Sequence, residues 1–257
     1  MQLRDAAETL GVHYQTAYGW VRQGRLRARK TPRGYEVSES DVRDLVARRA
    51  AGAEPAKEVQ VRDWAAQADR LYAALAAGDE AQAGHDFARL AAGVPLFELC
   101  DQVIAPALRR VGAGWAAGEL SIAVEHRASA ICERLIAARV RQPQGRPRGI
   151  AVTTTPPGER HALPAMMAAA CLREDHWQVQ DLAADLPVVE VMGLAADTGA
   201  GLVVLSSATV SAARLASREA REIRAALPNV RVLTGRPGDT LRRLRELART
   251  PEPAGAR

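Results

Sequence analysis

A glutamate and a histidine stand two positions apart in a turn rich in proline and glycine. The turn, PPGERHALP, follows an apolar β-branched run and precedes small residues with helical spacing, so Glu159 and His161 lie between a predicted strand and a predicted helix. Ligands of parallel α/β sheets bind at such turns. His161 is therefore a candidate ligand-binding residue; the alternative is a histidine bonded to a loop carbonyl at a helix N-terminus.

A second carboxylate-histidine pair occurs in the middle of the chain. Glu125 and His126 fall about one turn into a predicted helix, and Trp115 precedes them in a glycine-rich segment. A carboxylate beside a histidine can orient the ring, hold its tautomer and offer a polar pair to a ligand. The alternative is a buried tryptophan followed by a solvent-facing Glu-His pair.

Other signals of chemistry are few. The sequence has no Ser-His-Asp order, phosphate loop or paired carboxylates that would indicate hydrolysis or phosphoryl transfer. Cys100, Cys132 and Cys171 lie far apart in apolar helical contexts, which predicts buried thiols in a reducing cytosol. With no hydrophobic signal region at its start and no long apolar run, the protein is expected to be cytoplasmic and to have no membrane partner.

Strands and helices alternate from residue 149 onward. The runs GIAVTTT, WQVQDLA, GLVVLSSA and VRVLTG predict four strands, with helices between them over 162–174, 188–196 and 212–227. This alternation predicts a Rossmann-like parallel sheet with right-handed crossovers. The segments 206–207 and 235 then follow strands, at the same edge of the sheet as His161.

Residues before the sheet have helical patterns. Apolar positions predict helices over 64–75, 87–91, 96–111 and 121–140, separated by breaks near residues 78 and 93 and over 112–118. Four helices with short connections predict a four-helix bundle.

The first 50 residues carry most of the net charge. They hold ten Arg and Lys against six Asp and Glu, which is +4 of the net +5. Two short apolar helical stripes flank Gly11, and a basic run leads into a Pro-Arg-Gly turn, the strand-like YEV and a third helix capped by Ser40 and Asp41. The order predicts a helix-turn-helix with a hairpin wing, similar to that of MerR-type and excisionase-type proteins.

Polar and basic side chains on the second helix and the wing can donate to phosphates or base edges of double-stranded DNA. Trp20 is predicted to lie in the core instead. The alternative is a small helical domain with a solvated basic face. The candidate DNA contacts are Tyr14, Gln15, Thr16, Tyr18, Arg22, Arg25, Arg27, Arg29, Lys30 and Arg33.

Composition suggests where the domains end. Residues 51–60 are low in bulky apolar residues and contain proline, which predicts a linker. We therefore expect a multidomain protein: a winged helix-turn-helix over 1–50, a four-helix bundle over 61–145, an α/β Rossmann-like domain over 146–250 and a flexible tail over 251–257.

Three motifs in register resemble the signature of cobalamin-binding domains, Asp-x-His-x-x-Gly, Ser-x-Leu and Gly-Gly. Here the motifs are Glu-x-His-x-x-Pro at 159–164, Ser-Ser-Ala at 206–208 and Gly-Arg at 235–236, separated by 41 and 26 residues. Trp115 with Glu125-His126 resembles the upper-face cap of one branch. With the MerR-like first domain, the chain resembles the CarH/LitR family of cobalamin-dependent, light-responsive transcriptional repressors. The departures from the signature are Pro164, Ala208 and Arg236.

The resemblance implies a role for each matching residue. His161 would be the lower axial ligand of the cobalt, with its second ring nitrogen bonded to Glu159. The hydroxyls after the third strand and the glycine after the fourth would line a slot for the nucleotide tail, and the tryptophan with the Glu-His pair would cover the upper face. The implied cofactor-binding residues are Trp115, Glu125, His126, Glu159, His161, Ser206, Ser207, Thr209 and Gly235.

The function implied by the resemblance is cobalamin-controlled repression of transcription, not catalysis. In the dark, adenosylcobalamin would favour a DNA-binding homo-oligomer, a dimer or tetramer, and light would break the cobalt-carbon bond and weaken the assembly. The alternative is a MerR-like regulator whose third domain binds another tetrapyrrole, a protein partner or no cofactor. A corrinoid methyl carrier is disfavoured because a carrier has no need to contact phosphates.

Overall fold

The structure is a computed structural model that describes residues 1–12, 14–22, 26–31, 34–50, 63–140 and 145–250. The chain forms two units, residues 1–62 and 63–257. The predicted linker and tail lie outside the described residues. The predicted boundary between bundle and sheet falls inside the second unit and stays a prediction.

The first unit contains two helices, a hairpin and a third helix. They are α1 (Leu3–Thr9), α2 (Tyr14–Arg22), β1 (Ala28–Thr31), β2 (Gly34–Val37) and α3 (Glu39–Ala50), and β1 pairs with β2 in antiparallel register. Gly11 takes a positive φ of 65° between α1 and α2, as a tight turn requires. Trp20 packs against the core of this unit, as expected. The cap of α3 differs from the prediction: its first turn is capped by Ser38, whose Oγ accepts from the Asp41 N–H at 3.0 Å.

The second unit begins with the predicted bundle. Its helices are α4 (Trp64–Ala77), α5 (Glu80–Ala91), α6 (Leu96–Leu99), α7 (Ala105–Ala116) and α8 (Ile122–Ala137). A π-helical turn, Cys100–Ile104, joins α6 to α7, so the predicted third helix is one continuous segment. Buried leucine and isoleucine side chains fill the space between the helices. None of the described helices is both long enough and apolar enough to span a membrane.

The break predicted over residues 112–118 is wrong for most of that segment. Helix α7 continues to Ala116, and the chain turns only after it, where Gly118 has a φ of 75°. Gly114 lies inside the helix because the turn packs against it: a Cβ at Gly114 would lie 3.1 Å from Leu120 Cδ1. The close approach of the turn offsets the ordinary helical cost of glycine, about 1 kcal/mol. Trp115 therefore stands in the last turn of a helix.

The α/β part has four parallel strands, which confirms the Rossmann-like prediction. They are β3 (Ile150–Thr154), β4 (Gln178–Asp181), β5 (Leu202–Leu205) and β6 (Arg231–Thr234), in the order β4-β3-β5-β6. Helices α9 (Leu163–Glu174), α10 (Val188–Thr198), α11 (Val210–Ala226) and α12 (Leu241–Arg249) follow the strands. All four residues of β5 are buried, as in a strand covered on both faces.

Two carboxylates join the bundle to the α/β part. Glu174, at the end of α9, accepts from the Leu96 N–H at 2.8 Å and so caps α6. In the opposite direction, Asp101 of the π-helical turn accepts from the Leu241 and Arg242 N–H groups at 2.7 and 3.0 Å and caps α12. A negative charge at a helix N-terminus satisfies free N–H groups and the helix dipole. Each part thus caps a helix of the other.

Candidate functional site

The strand order places the candidate site at the switch point of the sheet, between β3 and β5. Strands β3 and β5 are neighbours, while β4 lies on the far side of β3 and β6 on the far side of β5. The chain therefore leaves β3 and β5 toward opposite sides of the sheet, and ligands of open α/β sheets bind at this switch point. The turn with His161 follows β3, and residues 206–209 follow β5.

Glu159 connects these two loops. Its side chain is buried, with the residue only 3% exposed. Oε2 accepts from the Ala208 N–H at 3.1 Å and from the N–H and hydroxyl of Thr209, both at 3.2 Å. Oε1 accepts from the His161 N–H at 3.1 Å and contacts the Nδ1 of the same residue. One carboxylate thus fixes the position of the histidine relative to the loop after β5.

These contacts determine the ionisation of Glu159. Burial acts to raise the pKa of its carboxyl, but the hydrogen bonds from the His161 ring and backbone and from Ala208 outweigh burial, so the pKa lies below its usual value. A charged Glu159 holds Nδ1 of the imidazole. The His161 side chain is 61% exposed, and its Nε2 has no hydrogen-bond partner among the described residues. That nitrogen is available to an external ligand.

Two further residues support the turn, Thr155 directly after β3 and Asp185 in the loop after β4. The Thr155 hydroxyl donates to the Glu159 carbonyl at 2.5 Å and accepts from the Asp185 N–H at 2.9 Å. Asp185 Oδ1 in turn accepts from the Gly158 N–H at 2.7 Å. Asp185 has a φ of 60°, an uncommon conformation for a residue other than glycine. A threonine directly after a strand was the available signal for this role.

A cavity of about 480 Å³ opens beside the same edge of the sheet. Its walls come from α9, the π-helical turn, the ends of β5 and β6, and α12, and they include Ser206, Ser207 and Gly235. Ser207 is 5% exposed, and its Oγ has no hydrogen-bond partner among the described residues. A buried hydroxyl without a partner is costly, so Ser207 is a group that a bound ligand could satisfy.

Thr209 is the N-cap residue of α11. Its Oγ1 donates to Glu159 and accepts from the Ala212 N–H at 3.2 Å, where it caps α11. Among the described residues Thr209 lies outside the lining of the cavity. Its hydroxyl orders the loop that holds Glu159.

The second carboxylate-histidine pair also forms. His126 Nδ1 lies 2.6 Å from Glu125 Oε2, and the Ser129 hydroxyl donates to Glu125 Oε1 at 3.1 Å. Trp115 is 49% exposed across the turn from this pair, and Ile122 is another large exposed apolar side chain nearby in the sequence. Within the described part of the chain, no hydrogen bond links Trp115, Glu125 or His126 to the His161 turn. Trp115 lies in the last turn of α7, and the Glu125-His126 pair lies in α8.

The three departures from the cobalamin-binding signature are compatible with the turn. Pro164 is the second residue of α9, where a backbone N–H has no partner within the helix and its absence costs little. Ala208 contributes its N–H, which any residue other than proline could supply. Arg236 is exposed at the edge of the cavity, and its N–H donates to Asp239 Oδ2 at 2.9 Å.

In the first unit, the candidate DNA contacts lie on α2 and the hairpin. Gln15 and Thr16 are exposed, whereas Tyr18 is half-buried, stacked beside Tyr14 and with its edge against Tyr35 of β2. Tyr18 therefore also connects the helix to the hairpin.

The basic residues of the hairpin are exposed. Arg29 forms an ion pair of 3.3 Å with Glu36, its partner in the strand register, while Arg27 and Lys30 make no ion pair with any described residue. Of the remaining candidates, Arg25 and Arg33 lie outside the described residues, as does the side chain of Arg22.

Two known protein families match parts of this chain. The helix-turn-helix domain family matches residues 1–50, and the B12 binding domain family matches residues 67–139. The HTH-type transcriptional repressor CarH of Myxococcus xanthus is 29% identical over 258 residues, which cover 90% of this chain and 84% of that protein. The chain is a CarH-like regulator. It combines a DNA-binding domain with a cobalamin-binding domain, and the family resemblance inferred from the motifs is confirmed.

A solved structure shares the fold of a large part of the chain. The monomethylamine corrinoid protein of Methanosarcina barkeri superposes with a TM-score of 0.56 at 19% identity, covering 71% of this chain and 96% of that one. The likeness confirms the fold of a helical bundle joined to a parallel sheet. The B12 binding match falls on the bundle, which supplies part of the cavity wall, while His161 belongs to the α/β part.

Proposed function

We propose that this regulator binds adenosylcobalamin and represses transcription in the dark, with His161 as the protein ligand of the cobalt. The observation that carries the proposal is the Glu159 carboxylate, which holds His161 Nδ1 and leaves Nε2 exposed at the carboxyl end of the sheet. Imidazole with one nitrogen bonded to a carboxylate is a common arrangement of metal ligands in proteins. The protein acts by binding, and we propose no catalytic residue.

The residues present fit a cobalamin. A corrin ring supplies four nitrogens to its cobalt, so the protein needs to provide one ligand, and one exposed histidine at the switch point suffices. Ser207, whose Oγ has no partner among the described residues, lines a cavity of about 480 Å³, within the range of small-molecule sites, ~300–1,000 Å³. Ser206, Ser207 and Gly235 would line the slot for the nucleotide tail, while Thr209 would hold Glu159.

Trp115, Glu125 and His126 would cover the upper face of the cofactor. The exposed indole supplies apolar area, and the Glu125-His126 pair offers hydrogen bonds to the hydroxyls of an adenosyl group. When bound, adenosylcobalamin supplies a cobalt-carbon bond that light can break. The protein would then lose the contacts of these three side chains with the upper group.

The consequence would be a change of assembly. A ligand shifts an equilibrium only by the difference in its affinity for the two states. We propose that the adenosyl contacts favour a homo-oligomer, a dimer or tetramer. Loss of these contacts in light would weaken the oligomer and lower its affinity for operator DNA. Two or more copies of the helix-turn-helix unit would bind repeated half-sites together.

The wing provides a direct test of DNA binding. Replacing Arg27 and Lys30 with alanine removes two exposed cations that make no ion pair with described residues. The affinity for mixed-sequence duplex DNA is expected to fall, and the slope of log K against log salt concentration to decrease by about 2 per protomer, since each phosphate contact contributes about 1. The measurement is fluorescence anisotropy of the full chain over a series of salt concentrations.

Arg43→Ala is the matched control, since it removes an exposed cation from α3, outside the predicted contact set. Its slope should equal that of the wild type. An unchanged slope in the Arg27→Ala/Lys30→Ala protein would mean that the hairpin does not contact phosphate.

A further inference from the structure

The cavity beside the sheet has one exposed, cationic edge. Arg236 and Arg243 line it and are exposed, and neither guanidinium has a hydrogen-bond or ion-pair partner among the described residues. The exposed edge also includes Asp239 and Thr240. The Asp239 carboxylate accepts from the Arg236 backbone N–H at 2.9 Å, so it is engaged with the main chain and not with either arginine head group.

Another part of the cavity wall is buried and contains apolar side chains. It includes Val204, Ala168 and Val232, together with Ser206 and the unpartnered hydroxyl of Ser207. The one carboxylate that lines the inner part, Asp101, is occupied by the two N–H groups at the start of α12. The cavity therefore combines buried apolar and hydroxyl side chains with an edge that carries two positive charges unpaired among the described residues.

This distribution fits a ligand with a flat apolar end and a phosphate at the other. We propose that Arg236 and Arg243 bind the phosphodiester of the cobalamin nucleotide tail and make the site selective for corrinoids with that tail; this rests on the proposed function. In cobalamin the phosphate lies between the benzimidazole nucleoside and the corrin side chain. If the base occupies the apolar interior and the corrin stays outside, the phosphate must pass the exposed edge.

Arginine suits this role better than lysine, because its planar fork of N–H donors matches phosphate oxygens in pairs. Exposed charges on a flexible side chain are screened by salt, so the contribution of the two arginines should decrease as ionic strength rises. Arg224, the third arginine of the lining, donates to the Val232 carbonyl at 2.7 Å and has a structural role.

The test compares two corrinoids and two fragments on the full chain. Dissociation constants are measured by calorimetry for cobalamin and for cobinamide, which lacks the nucleotide tail, and for dimethylbenzimidazole riboside with and without its phosphate. Arg236→Ala/Arg243→Ala is expected to bind cobalamin about 10- to 100-fold more weakly, as for loss of charge-assisted hydrogen bonds. Its affinity for cobinamide should remain that of the wild type, and the preference for the phosphorylated fragment should disappear.

Arg242→Ala serves as the matched control. Arg242 neighbours Arg243 on α12, but it points toward Glu98, 4.0 Å away, and does not line the cavity. It should bind all four ligands as the wild type does.

The outcomes distinguish a failure of the arginine–phosphate contact from a failure of cobalamin binding. If the wild type binds cobalamin and the double variant loses no affinity, or loses it equally for cobinamide, the phosphate contact is refuted while cobalamin binding stands. If the wild type binds the phosphorylated fragment, with dependence on the two arginines, but binds no corrinoid, the cavity assignment stands and the proposed function fails. If the wild type binds neither, both fail.

Discussion

His161→Ala is expected to bind cobalamin at least about 100-fold more weakly than the wild type, because the variant loses the only metal ligand that we assign to the protein. The visible spectrum of any corrin that remains bound should change as well, since the axial ligand of the cobalt affects its absorption. The measurement is a spectroscopic titration in the dark. Addition of free imidazole should partly restore the wild-type spectrum, because the deleted ring leaves space for it.

His85→Ala is the control for this variant, as His85 is exposed on α5, away from the turn. His85→Ala should have the same affinity for cobalamin and the same visible spectrum as the wild type. If His161→Ala kept both the affinity and the spectrum of the wild type, His161 would not be the ligand, and the histidine would have only a structural role beside Glu159.

Loss of Glu159 is expected to affect stability and binding together. In Glu159→Ala the N–H groups of Ala208, Thr209 and His161 lose their acceptor, and the free energy of unfolding should decrease by about 3 kcal/mol, the scale of a few hydrogen bonds to a charged group. The affinity for cobalamin should fall about 10- to 100-fold, as when a carboxylate behind a metal-binding histidine is removed. Urea unfolding and the spectroscopic titration measure the two effects.

The pH dependence of the unfolding free energy tests whether Glu159 stabilises the protein through its charge or only through its size and shape. A carboxyl whose pKa is lowered by folding stabilises the protein fully above its unfolded pKa, ~4.3, and loses that stabilisation as the pH falls through the lower folded value. Glu159→Gln keeps the size but cannot ionise. The difference in unfolding free energy between wild type and Glu159→Gln should thus be largest near neutral pH and decrease toward about pH 3. A difference independent of pH would contradict a charged Glu159.

Most of the secondary structure was predictable because it depends on local periodicity. The four strands lie inside the predicted runs, and the helices after β3, β4 and β5 begin within two residues of their predicted starts. The segment before Trp115 was mispredicted for a non-local reason. Gly114 resembles a helix terminator in the sequence, but it sits within α7, where Leu120 packs against it from the next turn.

The candidate site was predictable in part. The types and spacing of Glu159, His161 and the two serines indicated a site, and the structure brings Glu159 and His161 into contact at the predicted edge of the sheet. The support from Asp185 was not predictable, because its partner lies 27 positions away and the contact depends on how the loops after β3 and β4 meet. The wall from the π-helical turn depends on how the bundle packs against the sheet, and no spacing in the sequence encodes that.

The Glu174 and Asp101 caps give the bundle a defined position relative to the sheet. Asp101 lines the cavity and also caps α12, the helix that carries Arg243. A ligand in the cavity would therefore touch both parts of the second unit, which is a physical route by which occupancy of the site could stabilise one arrangement of the bundle.

We propose that this CarH-like protein holds a corrin through His161. The most direct measurement is to incubate the full chain with adenosylcobalamin in the dark, remove unbound cofactor by gel filtration, and record the visible spectrum before and after green light. We expect about one corrin retained per chain, with a spectrum that differs from free adenosylcobalamin and changes on illumination. A chain that emerges without corrin absorption would contradict the account.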